Sequence, residues 1–204
     1  MELYDTEEQQ VEAIKDWWKE NGKAVMLGAV IGLGGLFGWR FYQDSVTEAK
    51  EAASEAYTQA ILSLSSKGID ASGDVQSFID GNKDTEYSVL AAMQLAKVQI
   101  EAGNLDEALA QLEWAKSTTK DAALKPVITL RVARVQAEQG DFDAALAELN
   151  NITEEGWAGR VAELRGDISL RKGDTATAYA AYTEAQQATD ASQTLQIKLD
   201  DLAK

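Results

Sequence analysis

Catalysis near neutral pH leans on histidine and cysteine, and this chain has neither. Their absence removes imidazole general bases, thiol nucleophiles, zinc fingers and disulfide frameworks together. Carboxylates remain, and Asp141 and Asp143 stand close enough to suggest a pair. Their place just after Gly140, at the start of a helical run, accounts for them as a cap and a solvated first turn. The glycines form neither a GxxxxGK[ST] loop nor a GxGxxG turn after a strand. Asn151-Ile152-Thr153 matches a glycosylation sequon, a triplet that arises readily by chance. No catalytic residue, metal site or cofactor is expected. The chemistry to look for is recognition.

The elements that would present such a surface come from an internal repeat. Aligned on glycine, the segments read LAKVQIEAGNLDEALAQLEWA (95–115), VARVQAEQGDFDAALAELNNI (132–152) and RGDISLRKGDTATAYAAYTEA (165–185). Each is a helix, a Gly-Asn/Asp turn and a second helix. Glycine at 103, 140 and 173 is suited to end the first helix, and Asn104, Asp141 and Asp174 to cap the second. Ala108, Ala145 and Ala178 follow at one offset, with Leu112, Leu149 and Tyr182 beyond them. Spacings of 37 and 33 residues bracket the 34-residue tetratricopeptide period. The pattern departs where an aromatic is usual, at Gln99, Gln136 and Ser169. Arrays of this kind expose a concave surface lined by their first helices, on which Met93, Lys97, Leu130, Arg134 and Asp167 are the candidate groove residues. A helix over 46–66, a short helix at 75–79, a first helix over 85–102 and a capping helix over 192–203 complete the expected domain.

Ahead of the repeats lies AVMLGAVIGLGGLFGW, Ala24 to Trp39, sixteen residues without a charge between Lys23 and Arg40. At ~1.5 Å per residue this covers about 24 Å, short of a ~30 Å hydrocarbon core, and the flanks supply the rest. Lys23 and Arg40 can snorkel, and Trp17, Trp18, Trp39, Phe41 and Tyr42 suit the two interfaces. A secretory signal would end in a small-x-small cleavage site, whereas this core ends in Trp-Arg-Phe-Tyr. A soluble core helix would be weakened by its five glycines, which membrane helices tolerate. The expected order is therefore a tail over 1–21, a membrane-spanning helix over 22–42 and a soluble domain over 43–204. Ala24, Gly28, Gly32, Gly34 and Gly38 form small-xxx-small spacings and are the candidate helix–helix contact face. The fold class read from the chain is all-α, a single N-terminal transmembrane helix followed by a tetratricopeptide-like α-solenoid.

Charge narrows the partners. The net charge is −15 and no Lys/Arg cluster appears, which excludes a nucleic-acid binder. Three lysines precede the span, while only Arg40 and Lys50 follow closely, so the N-terminus is expected inside and the large domain outside. Val11, Ile14 and Trp18 recur at helical spacing, giving the tail an amphipathic helix suited to a membrane interface or a partner.

The amphipathic VEAIKDWW (11–18), the span ENGKAVMLGAVIGLGGLFGWRFYQ (20–43) and the run LRVARVQAEQGDFDAALAELNNITEEGWAGRVAELRGDISLRKGD (130–174) together resemble the YfgM family. Its members are ancillary subunits of the bacterial SecYEG translocon. The EEGWAGRVAELRGD block is the most distinctive part, and the resemblance covers nearly the whole chain. It implies a single-pass inner-membrane protein of a Gram-negative bacterium, with a cytoplasmic N-terminus and a periplasmic tetratricopeptide-like domain. It also implies association with the translocon and with a membrane-anchored periplasmic chaperone of the prolyl-isomerase type. Hand-over of exported client proteins to periplasmic chaperones follows as the expected task. Through the cytoplasmic tail, the family is further linked to restraint of an envelope-stress response regulator. No catalytic residue comes with the resemblance. Two rival readings are a regulator acting through the tail and a scaffold for another inner-membrane complex.

Overall fold

The computed structural model describes residues 7–202, and every regular element among them is a helix. The expected tail is thus described from Glu7 onward, and Ala203 and Lys204, at the end of the expected capping segment, lie outside the described residues. The chain divides into two compact units, Met1–Ala52 and Ala53–Lys204.

In the first unit the described residues belong to one helix, α1 (Glu7–Lys67). One stretch of it is long and apolar enough to cross a membrane, and none of that stretch is buried against protein. Leu27, Val30, Ile31, Leu36, Phe37 and Phe41 are all exposed. Apolar side chains at ~25 cal/mol per Å² would not stay in water around the full circumference of a helix. Lipid is the solvent that suits such a surface. Trp17 and Trp18 lie at one end of it (ring centroids 6.5 Å apart), Trp39 and Tyr42 at the other (6.3 Å).

The second unit begins within α1, at Ala53, and its helices follow in hairpin order. A 3₁₀ turn (Gly68–Ala71) leads into α2 (Ser72–Gly81). Then come α3 (Glu86–Glu101), α4 (Leu105–Thr118), α5 (Leu124–Glu138) and α6 (Phe142–Leu149). The last three are α7 (Ala158–Arg171), α8 (Thr175–Gln186) and α9 (Leu195–Leu202). From α2 onward each helix packs on the next, which is the pattern of a solenoid. Tyr57, Ala60 and Leu64 of α1 join the first core beside Phe78, Val89 and Leu95, with the Tyr57 ring 6.2 Å from Phe78 and 5.6 Å from Tyr87. Leu195 and Leu199 of α9 close the last core against Tyr182 and Ala185.

The three turns are built alike for a backbone reason. Gly103, Gly140 and Gly173 have φ of 83, 86 and 87°, left-handed values that cost little only for glycine. The next amide in each turn, at Asn104, Asp141 and Asp174, donates to the carbonyl of Gln99, Gln136 and Ser169 at 2.8, 2.8 and 2.9 Å. These six-to-one bonds are the Schellman closure of the first helix. The expected caps of the second helix are formed differently. Only Asp174 accepts, from the Thr177 amide at 3.0 Å and its hydroxyl at 2.7 Å. Asn104 and Asp141 make no side-chain cap bond.

Ala108, Ala145 and Ala178 are all fully buried where paired helices meet. Gln99 is buried and Gln136 partly so, and the Oε1 atom of each has no hydrogen-bond partner. That is the cost of an amide at positions suited to an aromatic side chain.

Candidate functional site

Between the first helices of the first two repeats lies a depression of about 530 Å³. Its floor is Met93, Ala96 and Leu112, all buried, and Ile100 is its exposed apolar rim. Lys97 and Glu101 of α3 and Arg131 of α5 supply its charge. The size falls within the ~300–1,000 Å³ of ordinary ligand sites. Lys97 reaches Glu101 at 3.7 Å, but both side chains are about two-thirds exposed, so the pair is loose. Arg134 stands one turn beyond Arg131 on α5 and is exposed. Leu130 is turned away into the second core, with Ala133, Leu149 and Ile168.

Asp167 belongs to a different constellation. It accepts from the Tyr182 hydroxyl at 2.7 Å and from Lys198 Nζ at 2.6 Å, and Lys198 also reaches Glu163 at 2.9 Å. The Lys198 ammonium lies 5.3 Å from the centre of the Tyr182 ring. Burial and the bond to Asp167 push the Tyr182 phenol well above its ordinary value. Burial draws Lys198 down, but Asp167 and Glu163 outweigh it and the net shift is upward. Tyr182 can lie here because Gly166 has no side chain, a Cβ at Gly166 falling 2.4 Å from its Cε1. The other two pairs use Ala96 with Leu112 and Ala133 with Leu149. A larger partner at one position is matched by a smaller one at the other.

Polar ties at about one repeat period join the two ends of a helix pair or one pair to the next. Thr119 Oγ1 and the Lys120 amide donate to Glu86, both at 2.8 Å, and Lys116 pairs with Glu148 at 2.6 Å. Gln139 donates to Asp106 at 2.6 Å, and Lys172 pairs with Asp143 at the same distance. Arg171 binds both oxygens of Glu138, whose carboxyl it holds below the ordinary range. Asp190 accepts from the free amides of Gly159 (2.7 Å) and Arg160 (3.2 Å) at the start of α7.

In α1, a Cβ added at Gly28, Gly32, Gly34 or Gly38 would meet nothing within 4 Å. Those glycines therefore leave open backbone along the apolar stretch, with Ala24 exposed a turn before them.

Comparison with known proteins decides what kind of chain this is. Residues 15–204 match the family described as a tetratricopeptide repeat-like domain. An ancillary SecYEG translocon subunit of Escherichia coli K12 is 40% identical over 100% of both chains. One from Haemophilus influenzae is 35% identical over 89% of each, and one from Aggregatibacter actinomycetemcomitans 36% identical over 96% of this chain and 97% of the relative. The chain belongs to the family of ancillary SecYEG translocon subunits.

For this family member the structure brings Met93 and Lys97 together and adds Gln94, Ala96, Ile100, Glu101, Leu112 and Arg131 beside them. Arg131 was legible. It lies nine residues before Gly140, as Gln94 lies nine before Gly103, so the repeat register carries both to one place. The Lys198 contact to Asp167 was not legible, because it joins the last helix to α7 across 31 residues.

Proposed function

We propose that this protein is a non-enzymatic accessory subunit of the SecYEG translocon in the bacterial inner membrane. One observation carries the reading: a relative that matches the chain from end to end bears that name, and the described residues pair one membrane-competent helix with a helical-repeat domain. Such a pairing suits a tethered recognition module better than a soluble enzyme. In this reading residues 1–21 form a cytoplasmic tail, 22–42 cross the membrane and 43–204 stand in the periplasm. The lysine bias before the span supports that orientation. The face of Ala24, Gly28, Gly32, Gly34 and Gly38 docks against a neighbouring membrane helix, since open backbone at small residues permits close approach. Beyond the membrane the first helices, with Met93, Lys97 and Arg134, serve recognition, while Leu130 and Asp167 belong to the packing of the repeats, and the domain hands exported proteins to a membrane-anchored chaperone of the prolyl-isomerase type.

The test is affinity purification of the tagged full chain in mild detergent, followed by mass spectrometry. Translocon subunits and a periplasmic chaperone are expected in the eluate. Recovery of a different membrane complex, with neither of these, overturns the proposal.

A further inference from the structure

Helix α1 carries a second period beneath its apolar run. Counting four and three residues alternately from Gln10 gives the series 10, 14, 17, 21, 24, 28, 31, 35, 38, 42, 45, 49 and 52, six heptads within the first unit. These are the a and d positions of a coiled-coil seam, with Asn21 at an a position. None of the eleven charged residues between 10 and 52 falls on this series. None falls on the e positions beside it either (11, 18, 25, 32, 39 and 46). Every residue of the series is exposed except Asn21, which is half-buried. One face of α1 thus runs without a charge through the tail, the apolar stretch and the segment after it.

A helix alone in lipid has no reason to keep this period. A straight α-helix drifts ~20° per heptad from a 3.5-residue repeat, or about 120° over six. The series stays on one side only where helices wind around each other to the left. Lipid also fails to cover all of the face. A bilayer of ~40–45 Å centred on the apolar run reaches about 8–10 Å past either end. Ile14 stands ten residues before Ala24, about 15 Å along the axis, and is 67% exposed. Something other than lipid suits that end of the face.

We propose that α1 pairs in parallel with α1 of a second copy of this chain, forming a left-handed coiled coil from Gln10 to Ala52. The inference rests on the reading of the glycine-bearing face as a helix–helix contact and names its occupant. Membrane insertion gives both copies one direction, so identical layers meet. Gly28, Gly35 and Gly38 let the backbones approach closely, and Ile31 packs between them. Asn21 meets Asn21. One of its amide hydrogens goes to the Trp17 carbonyl at 3.0 Å, and the second remains to donate across the pair. A lone asparagine at an a position fixes register and favours two strands. Charge selects the same occupant. Chains of net charge −15 repel each other, yet this seam carries none of that charge. In a parallel pair each g residue lies beside an e residue of its partner. The only charged g residues, Glu20 and Glu48, therefore face uncharged positions. A helix of different sequence chosen by charge would call for charged e positions, which α1 lacks.

The chain has no cysteine, so single introduced cysteines report on the seam without background. Membranes holding the full chain are oxidised with copper phenanthroline and resolved on non-reducing gels, with mass spectrometry of the products. Ser45→Cys, Ala49→Cys and Ala52→Cys, on the seam, are expected to double the 22.1 kDa mass. Thr47→Cys and Lys50→Cys, off the seam, are expected to stay single. Sedimentation of the purified full chain in density-matched detergent should show a dimer. Combining Gly28→Leu with Gly35→Leu should raise its dissociation constant about tenfold or more, because the backbones can no longer approach. Leucine forms helix better than glycine, so these changes leave α1 helical. Leu33→Ala, at an f position on the far side, should leave the constant unchanged. Equal cross-linking at all five positions, or none at any, overturns the inference. So do adducts with a different protein alone, a monomer in sedimentation, or a dimer indifferent to the glycine changes. Failure here is separable from failure of the broader reading. Translocon recovery with a monomeric α1 removes only the second copy, whereas a seam dimer without translocon recovery removes only the assigned complex.

Discussion

Replacing Gly166 with alanine tests the packing logic of the last repeat most directly. The new Cβ would stand 2.4 Å from Tyr182 Cε1, 2.5 Å from Cδ1 and 3.1 Å from Cζ. Ordinary contact begins at 3.4 Å, so the ring must retreat by about an ångström. It has little freedom to do so, being 1% exposed, tied by its hydroxyl to Asp167 and covered by Lys198. Overpacking of this kind costs ~1–3 kcal/mol, and the helix-forming gain of Ala over Gly returns ~0.8–1 kcal/mol. A net loss of about 1–2 kcal/mol is expected. For a domain of this size each kcal/mol moves Tm by ~2–4 °C, so the midpoint of the full chain in detergent should fall by about 2–8 °C. The sign should reverse when Tyr182→Leu restores the side chain used at Leu112 and Leu149. In that background Gly166→Ala has space, and only the helix-forming gain remains. Thermal unfolding by circular dichroism of the four proteins closes the double-mutant cycle. A wild-type background in which Gly166→Ala raises Tm, or effects that simply add, would refute the reasoning.

Two further outcomes follow from particular atoms. Gln136→Met removes a buried amide oxygen that has no partner, and stability should rise by about 1 kcal/mol, or ~2–4 °C in Tm; a fall would mean that the amide is satisfied. Acid should weaken the domain through Glu138, whose bond to Arg171 lowers its carboxyl from the ordinary 4.5, and through Asp174, lowered from 3.8 by the amide and hydroxyl of Thr177. Both bind a proton less readily folded than unfolded, so their contribution is present above those ordinary values and is lost as pH falls through them. Tm measured from pH 6 to 3 should decline below about pH 4.5, and Arg171→Gln should make the decline shallower. An Arg171→Gln profile parallel to the wild-type one would remove Glu138 from the account.

Much of the fold was legible because it is local. A glycine that must take a positive φ, followed by an amide that closes the helix before it, needs only a few neighbouring residues, and Gly103, Gly140 and Gly173 announce it. Small residues at one offset and large ones at another record a packing rule repeated along the chain, so Ala108, Ala145 and Ala178 could be placed at helix crossings without coordinates. The caps were harder to read. Asn104, Asp141 and Asp174 look equivalent, yet only the last caps its helix with a side chain, accepting from the amide and hydroxyl of Thr177.

Composition by itself removed imidazole and thiol chemistry from the chain, and the run from Ala24 to Trp39 marked a stretch long and apolar enough to cross a membrane. The glycine register determined the helix pairs. Only the tertiary structure decided which charges are spent and which are left. Glu138 is one of five acids in the first helices and would seem to balance Arg131 and Arg134 on its own helix, until Arg171 from the next repeat takes it. Asp167 shares its register with Lys97 and Arg134, yet Lys198 and Tyr182 claim it at the end of the array. Periodicity assigns a residue to a face. Whether that residue is free to meet a partner depends on a neighbour about thirty residues away, whose reach the solenoid's curvature sets and the local sequence does not encode.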